Sequence, residues 1–429
     1  MKKEDSVSRR TILKGAATIA AASTFDIIKA ESVRGTQANS MVEIGWIGLG
    51  GQGTRDAYLL EKTGKAKITA IADYFQYRLD NARKPVQPNQ GRPNLEKIDP
   101  KRVFLGIDGY KAIVQSNVDA VLMVTPPGFR PEHFKAAIDA KKHVFAEKPL
   151  SVDVPGCHLV AEAGEKAKAN NLTVVVGLQR HYSKAYRACK KLIDEGALGT
   201  IVMAHSAWDQ GDLWKDRRAK FADWKGSKQD YEVEHWYFFK WLSGDHITEQ
   251  SIHNMDVINW MLGKLPIKAY GSGGRLVRTE VGEIYDHFNL VYEYPDQILL
   301  NHSCVQIDGV RDDISETIRG TKATFTTTAG RGGTGGARIE ASRGRRETTS
   351  QMIYSYEGND DRHYDQEAEF FVNSVLGKGE GEDKYRNDTK YGVDSTFMSI
   401  LGREAAYRRQ CLTWDELWNT NKKLTFKGD

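Results

Sequence analysis

The chain has 429 residues, of which 40% are hydrophobic and 28% are charged, and its formal net charge is +4. A single hydrophobic core stops growing at roughly 250–300 residues, so this length predicts two domains and excludes a small one-core protein. The nearly balanced charge argues against a nucleic-acid or membrane-surface partner, and no apolar run approaches the roughly 20 residues of a membrane-spanning helix.

Paired arginines mark the N-terminal segment. Arg9 and Arg10 precede a short, weakly apolar run over residues 15–22, which is the pattern of a twin-arginine export signal. An ordinary amphipathic first helix is the alternative. We expect residues 1–33 to be a signal peptide, with the cleavage point open between residues 22 and 40. The pattern therefore predicts a bacterial protein that is periplasmic or otherwise exported.

Strands and helices alternate from Val42 onward. The predicted strands are residues 42–47, 68–72, 118–124 and 143–146, and the predicted helices are residues 56–62 and 131–140. Short apolar strands separated by helices predict an α/β fold in which a parallel sheet is covered on both faces. We place this first domain at residues 42–150.

A glycine-rich turn follows the first strand and opens the first helix. It comprises Gly48, Leu49, Gly50, Gly51, Gln52 and Gly53, and Asp73 ends the next strand. In this context the pattern predicts a dinucleotide site rather than a plain tight turn. The Asp73 carboxylate would accept hydrogen bonds from the ribose hydroxyls and repel a 2′-phosphate, which favours NAD over NADP. Arg78 lies close enough in sequence to keep NADP as the less favoured alternative.

Two further motifs end strands of the same sheet. Thr125, Pro126 and Pro127 precede the helix that carries His133, at the edge where a nicotinamide ribose would lie. The second motif is Glu147-Lys148-Pro149. Its lysine places an ammonium group where it can hydrogen-bond a substrate oxygen.

From Val42 to the C-terminus the chain resembles the Gfo/Idh/MocA family of oxidoreductases. The residues that carry the resemblance are Gly48, Gly50, Gly53, Asp73, Thr125, Pro126, Pro127, His133, Glu147, Lys148 and Pro149. It implies that Lys148 is the active-site lysine and that the first domain is a doubly wound Rossmann sheet. It also implies that residues 151–429 form an α+β domain with a large, open, mostly antiparallel sheet. One face of that sheet would bind substrate, and the other would form a homodimer or homotetramer.

The second half fits this architecture. We predict a helix over residues 154–169, strands at 172–176, 201–208, 267–273, 288–293, 298–305 and 315–326, and a flexible loop at 330–336. In the family, the turn after residue 176 faces cofactor and substrate. This adds Gln179 and Arg180 to the predicted cofactor contacts, and Arg180 and His181 to the predicted substrate contacts.

A polar helix face carries the second cluster of candidate residues. His246, Glu249, His253 and Asp256 are spaced by three, four and three residues, so a regular helix would place them on one face. The resemblance makes His253 the base and Glu249 the acid that orients it, while Lys148 polarises the substrate oxygen. A metal site of His246, Glu249 and His253 and a buried histidine pair are the alternatives, and we expect no metal.

Aromatic residues crowd the segment between residues 208 and 241. Their flat faces can stack on sugar rings, and interleaved charges such as Arg217, Arg218 and Asp223 can bind hydroxyls. The predicted substrate contacts are Trp214, Trp236, Tyr237, Trp241, His246, Asp286 and His287. Packing in the core or at a subunit interface is the alternative for the aromatic residues. Four widely spaced cysteines are expected to be free, buried thiols.

These observations favour an enzyme that oxidises a secondary hydroxyl of a sugar, polyol or glycoside by hydride transfer to NAD. One alternative is a redox-neutral enzyme with tightly held NAD, either an oxidoreductase that couples two sugars or a glycosidase that oxidises transiently. The other alternative is a sugar-binding or sensing relative that does not turn over its ligand.

Overall fold

The computed structural model describes residues 41–87, 90–214, 220–327, 336–341, 351–356, 363–379 and 381–427. The predicted export signal, Arg217, Arg218 and all of the predicted glycine loop except Gly336 lie outside these ranges. Across the described ranges, no helix has both the length and the apolar character needed to cross a bilayer.

The first sheet has six parallel strands. They are β1 (Val42–Ile47), β2 (Ala66–Asp73), β3 (Val103–Leu105), β4 (Ala120–Met123), β5 (His143–Ala146) and β6 (Val174–Val176), in the order β3-β2-β1-β4-β5-β6. Its helices are α1 (Gly51–Lys62), α2 (Gln76–Ala82), α3 (Gly109–Gln115), α4 (Arg130–Asp139) and α5 (Val154–Ala169). This confirms the predicted Rossmann architecture. Because β6 belongs to the sheet, the parallel sheet extends past the boundary that we predicted at residue 150.

The strand order reverses between β1 and β4. In doubly wound sheets, ligands bind in the crevice at the carboxyl ends of the strands where this reversal occurs. The glycine turn follows β1, Thr125 follows β4, and Lys148 follows β5. The fold therefore brings the three motifs to one edge of the sheet.

The second sheet has nine strands and is mostly antiparallel, as predicted. Its strands are β7 (Ile201–Gln210), β8 (Lys268–Gly274), β9 (His287–Glu293), β10 (Leu299–Gln306), β11 (Asp313–Gly320), β12 (Thr324–Thr327), β13 (Ala337–Ala341), β14 (Gln351–Ser355) and β15 (Leu412–Thr413). Their order is β14-β13-β12-β11-β7-β10-β9-β8-β15, with β7 and β10 parallel. The predicted strand 315–326 is two strands, because a turn closed by Gly320 N–H and Ala323 O interrupts it.

Helices of the second half cover one face of this sheet and return to the first domain. They are α6 (Lys184–Asp194), α7 (Lys228–Glu234), α8 (Lys240–Ser243), α9 (Ile252–Leu262), α10 (His363–Val375), α11 (Thr389–Arg408) and α12 (Trp414–Trp418). In α10, Phe371 is fully buried with its ring edge against Phe145 of β5, at 5.5 Å between centroids. Residues near the C-terminus thus complete the core of the first domain.

The four cysteines are free, as expected. Cys157, Cys189 and Cys304 are buried, but Cys411 is exposed beside β15. The expectation that all four are buried was therefore wrong for Cys411.

Candidate active site

The glycine turn forms a cradle for an anion. Gly48 has φ +91°, and a Cβ on Gly53 would lie 2.4 Å from the Gly48 carbonyl oxygen, so both positions need glycine for the chain to pass this closely. A Cβ at Gly51 would meet nothing within 4 Å, and one at Gly50 would meet only Arg78, at 3.7 Å. The N-terminus of α1 is therefore open, and a pyrophosphate fits against its backbone N–H groups.

Asp73 lies beside this cradle as predicted. Its carboxylate accepts hydrogen bonds from the backbone N–H groups of Leu49 (2.7 Å) and Phe75 (3.0 Å). Burial raises the pKa of Asp73, and these two hydrogen bonds oppose that rise. The Arg78 guanidinium lies 3.9 Å from Asp73 but contacts Glu234 of α7 more closely, at 3.1 Å.

A cavity of about 410 Å³ runs from this cradle to the second sheet. The predicted site residues that line it are Gly48, Gly50, Gly51, Gln52, Gly53, Asp73, Arg78, Thr125, Pro126, His133, Glu147, Lys148, Gln179, Trp214, Trp236, Glu249 and His253. Other predicted residues are absent from its lining: Pro127, Arg180, His181, Tyr237, Trp241, His246, Asp286 and His287. Lining residues that we did not assign include Tyr74, Phe129, Arg130, Trp208, Gln210, Glu234, Gln250 and Tyr364.

Lys148 is held by Glu249. The Lys148 Nζ donates to the backbone carbonyl of Glu249 at 2.7 Å and contacts its Oε1 at 3.1 Å, with both side chains about nine-tenths buried. The other carboxylate oxygen accepts from Gln250 Nε2 at 2.7 Å. Our expectation that Glu249 orients His253 is therefore corrected, because its carboxylate is occupied by Lys148 and Gln250. Lysine is long enough to reach across the domain boundary, and an ammonium this buried needs a charged partner.

His253 is a buried, neutral imidazole. Burial lowers its pKa well below the ordinary value, and the positive charges of Lys148 and Arg180 lower it further. The ring stacks against Trp208 at 5.6 Å between centroids. Its Nδ1 has no hydrogen-bond partner among the residues that the structure describes. The ring thus lines the cavity in the protonation state that can accept a proton.

The helix that carries His253 is irregular at its start, and the four predicted polar residues do not meet at one site. A π-helical turn at Ile247–Ser251 precedes α9, so residues before it are rotated relative to residues after it. The His246 Nδ1 lies 3.1 Å from Cys304 Sγ, and Asp256 contacts His181 Nε2 at 2.8 Å. The alternative metal triad is therefore not assembled, and no group of three His, Cys, Asp or Glu residues in the described ranges could hold a metal.

Arg180 and His181 are structural where we predicted ligand contacts. The Arg180 guanidinium forms an ion pair with Glu316 of β11, and both side chains are almost completely buried. His181 pairs with Asp256 and stacks on Trp260 at 4.1 Å. Charged groups so deeply buried require partners. Sequence spacing cannot indicate these partners, because they come from distant strands and helices.

Four other predicted substrate contacts have partners outside the cavity. Tyr237 is buried and donates to Gln306 at 2.7 Å, and Trp241 donates to Glu232 at 2.6 Å. Asp286 accepts three backbone hydrogen bonds, from residues 276–278, and one of its oxygens lies 2.7 Å from His287 Nδ1. Asp286, paired with His287, therefore anchors the loop at residues 276–278. Pro127 begins a short 3₁₀ helix, Pro127–Phe129, and is buried behind the cavity wall.

His133 supports the cavity wall from α4. Its Nδ1 lies 3.3 Å from Thr125 Oγ1, and its ring stacks on Tyr110 at 4.2 Å. Burial, assisted by the positive charge of Arg130, lowers the pKa of His133 to about 3, so the ring is neutral. It therefore presents an uncharged aromatic surface beside the expected nicotinamide position.

Two charged features of the site escaped the sequence analysis. Arg130, the first residue of α4, is buried and donates to Pro149 O at 2.5 Å; burial lowers its pKa to about 10. Asp56, Glu147 and Glu367 form a cluster of buried acids, and Gln52 Nε2 donates to the first at 2.7 Å and to the second at 3.3 Å. Burial raises the pKa of all three acids. In the sequence, the only local indication of this acid cluster is Asp56, which lies about one turn into α1.

Comparisons with known proteins agree with this geometry. Residues 42–178 match the family model described as oxidoreductase family, NAD-binding Rossmann fold, and residues 186–326 match the GFO/IDH/MocA C-terminal domain. Inositol 2-dehydrogenase of Burkholderia cenocepacia is 30% identical over 227 residues, which cover 52% of this chain and 55% of the relative. The chain thus spans about half the length of the curated relatives it matches.

Two solved structures share the fold. One is scyllo-inositol dehydrogenase from Lactobacillus casei with bound NAD(H) and scyllo-inositol, with TM-score 0.61, 21% identity, and coverage of 87% of this chain and 99% of that chain. The other is aldose-aldose oxidoreductase from Caulobacter crescentus complexed with glycerol, with TM-score 0.64, 15% identity and the same coverage. At these identities the likeness extends to the fold alone.

Proposed function

Because the chain belongs to the GFO/IDH/MocA family of oxidoreductases, both of whose domains it carries, we propose that it oxidises a secondary hydroxyl of a sugar, polyol or glycoside to a ketone. One observation carries the proposal. A single cavity is lined at one end by the glycine cradle and Asp73 and at the other by Lys148 and His253. Its cradle fits a dinucleotide, and its far end presents a hydrogen-bond donor and a neutral base.

The proposed roles follow from the protonation states and contacts. A bound nicotinamide would supply the hydride acceptor. Lys148, held in place by Glu249, donates a hydrogen bond to the substrate oxygen and stabilises negative charge that develops on it. His253 accepts the hydroxyl proton. The aromatic faces of Trp208, Trp214 and Trp236 line the same cavity and suit the apolar face of a sugar ring.

We propose NAD as the cofactor. Asp73 supplies a negative charge where a 2′-phosphate would lie, and nearby Arg78 is paired with Glu234. The relative named inositol 2-dehydrogenase supports a polyol or sugar as substrate.

The test is the absorbance of reduced nicotinamide on purified protein mixed with a panel of sugars and glycosides, with and without added NAD. We expect a signal with at least one substrate. Lys148→Met should lower its rate about 100- to 1,000-fold, because one donor to the developing oxyanion is lost. Cofactor binding, measured by protein fluorescence, should be unchanged.

Lys135→Met is the matched control, because Lys135 lies on α4 with its side chain 44% exposed and pairs only with Asp139 within the described residues. Full turnover by Lys148→Met would contradict the assignment of the lysine. No signal across the panel would favour a sugar-binding or sensing relative without turnover.

A redox-neutral enzyme is the second candidate, favoured by hydrogen bonds between the two domains beside the expected adenosine end of the cavity. Tyr74 donates to Asp230 and Tyr77 to Glu234, at 2.7 and 2.8 Å, so two residues of α7 hold the β2–α2 connection and the first turn of α2. Such contacts would slow cofactor release. Product formation by cofactor-bearing protein without net absorbance change would favour this candidate, whereas stable reduction would favour the simple dehydrogenase.

We also propose export through the twin-arginine pathway and a homodimer or homotetramer formed through the second sheet. The outer face of that sheet presents half-exposed apolar side chains, including Val202 and Tyr270. Replacing Arg9 and Arg10 by lysine should retain the protein in the cytoplasmic fraction. Light scattering on the purified protein should give a mass of two or four chains.

A further inference from the structure

Helix α7 of the second domain reaches the end of the cavity where the adenosine ribose is expected. Its last residue, Glu234, contacts Arg78 Nη2 at 3.1 and 3.2 Å through its two carboxylate oxygens. The same oxygens accept from Tyr77 OH at 2.8 Å. Glu234 lines the cavity together with Asp73 and Arg78. A residue of the substrate domain is thus part of the predicted ribose pocket.

The charges in this pocket are unevenly paired. Three cationic side chains line the described part of the cavity, and two of them, Arg130 and Lys148, contact residues of the nicotinamide end. Arg78 is the cation at the adenosine end, and it faces two carboxylates, Asp73 and Glu234. The pocket therefore has a net negative charge.

An arginine at this position has two possible uses. Unpaired, it could form charge-assisted hydrogen bonds with a 2′-phosphate. Held by Glu234, it has a partner already, and Glu234 adds a second negative charge that would repel the phosphate. The Tyr77 hydroxyl contacts the same two carboxylate oxygens, so Tyr77 also restrains the pairing of Arg78 with Glu234.

We propose that Glu234 is a specificity-determining residue that selects NAD over NADP by engaging Arg78 from the second domain. The proposal rests on the proposed function, since it requires a dinucleotide in the cavity. Asp73, in the first domain, already supplies one negative charge that disfavours a 2′-phosphate. Glu234 supplies a second such charge from the second domain.

The experiment compares wild type with Glu234→Gln. Each protein is equilibrated with mixtures of NADH and NADPH, free ligand is removed, and both dinucleotides are quantified by mass spectrometry of the denatured supernatant. The glutamine amide oxygen can still accept from Arg78 and Tyr77, but the repelling charge is gone. We expect the bound NADPH-to-NADH ratio to rise at least about tenfold, as removal of a like charge from an interface predicts. Asp73 should keep NADH the preferred ligand.

Two further variants isolate the charge of Glu234. Asp230→Asn removes the charge that faces Tyr74 on the same helix without touching Arg78, and it should leave the ratio unchanged. Arg78→Gln combined with Glu234→Gln should lose the gain, because the Arg78 guanidinium, which no longer faces a carboxylate at position 234, is what binds the phosphate. An unchanged ratio in Glu234→Gln, or an equal rise in Asp230→Asn, would overturn the inference. Wild type that binds neither dinucleotide would instead contradict the proposed function itself.

Discussion

Lys148 and Glu249 show how one residue acts through another in this site. Lys148 follows β5 directly, so its position at the sheet edge could be predicted from the strand and the motif. Glu249 was predicted to be in the site, but its partner was not, because spacing along a helix gives a side chain's direction only if the helix is regular. Its contact with Lys148 at 3.1 Å makes it a positioning residue for the lysine.

Replacing Glu249 by Gln should lower kcat about tenfold and leave dinucleotide binding unchanged. The Glu249 backbone carbonyl still accepts from Lys148, so part of the restraint survives while the ionic contact is lost. The kcat of each protein is measured from the steady-state reduction of NAD with the most active sugar from the panel.

A double-mutant cycle tests whether the effect passes through the lysine. Lys148→Met combined with Glu249→Gln should be no slower than Lys148→Met alone in single turnovers at high protein concentration. A further tenfold loss in the double variant would show that Glu249 contributes independently of Lys148.

At the scale of elements, periodic segments were predictable and irregular ones were not. Strands β1 and β5 and helix α5 have the predicted bounds, since each combines a clear period with a turn or cap at its ends. The π turn at Ile247–Ser251 has no pattern that distinguishes it from α-helix, and it rotates His246, which precedes it, relative to His253, which follows it. Asp256 follows the turn in the regular part of the helix, and it contacts His181 outside the cavity. Helices α10 and α11 were not predicted, although α10 completes the core of the first domain.

Helix α10 should be essential for the stability of the Rossmann domain. Phe371→Ala should lower the free energy of unfolding by about 3–5 kcal/mol, because a fully buried aromatic ring that packs on Phe145 is removed. Chemical denaturation followed by fluorescence measures the change.

Glu369→Ala is the control on the same helix. Its side chain is 64% exposed and it pairs with Lys65 only at 3.9 Å among the described residues, so its loss should cost no more than about 0.5 kcal/mol. A Phe371→Ala protein as stable as this control would mean that the first domain does not depend on α10.

At the scale of the whole molecule, the chain assembles a buried acid cluster from three distant segments. Asp56 comes from α1, Glu147 from the end of β5, and Glu367 from α10. Each acid alone looks like an ordinary polar residue in the sequence, so the cluster could not be predicted without the fold. Burial raises the pKa of Glu367 well above its ordinary value, and the charges of Glu147 and Asp56 raise it further.

This raised pKa predicts how stability depends on pH. Below the ordinary carboxyl value, the folded and unfolded chains both keep the proton on Glu367, and its contribution to stability is intact. As the pH rises toward the folded value, only the unfolded chain releases the proton freely. The free energy of unfolding therefore falls, by about 1.4 kcal/mol for each unit by which the pKa is raised.

Glu367→Gln should remove this loss. The amide has the same shape but cannot ionise, so the variant should unfold a few degrees higher than wild type at pH 8, since 1 kcal/mol shifts Tm by about 2–4 °C in domains of 150–250 residues. At pH 5 the two proteins should differ much less. The Tm of each protein is measured by thermal unfolding between pH 5 and pH 8 at one fixed concentration of NAD. Glu369→Gln, at an exposed position, is the control. A wild type that is more stable than Glu367→Gln at pH 8 would mean that the ionised carboxylate is stabilised in the fold, contrary to the direction that its burial beside two other acids predicts.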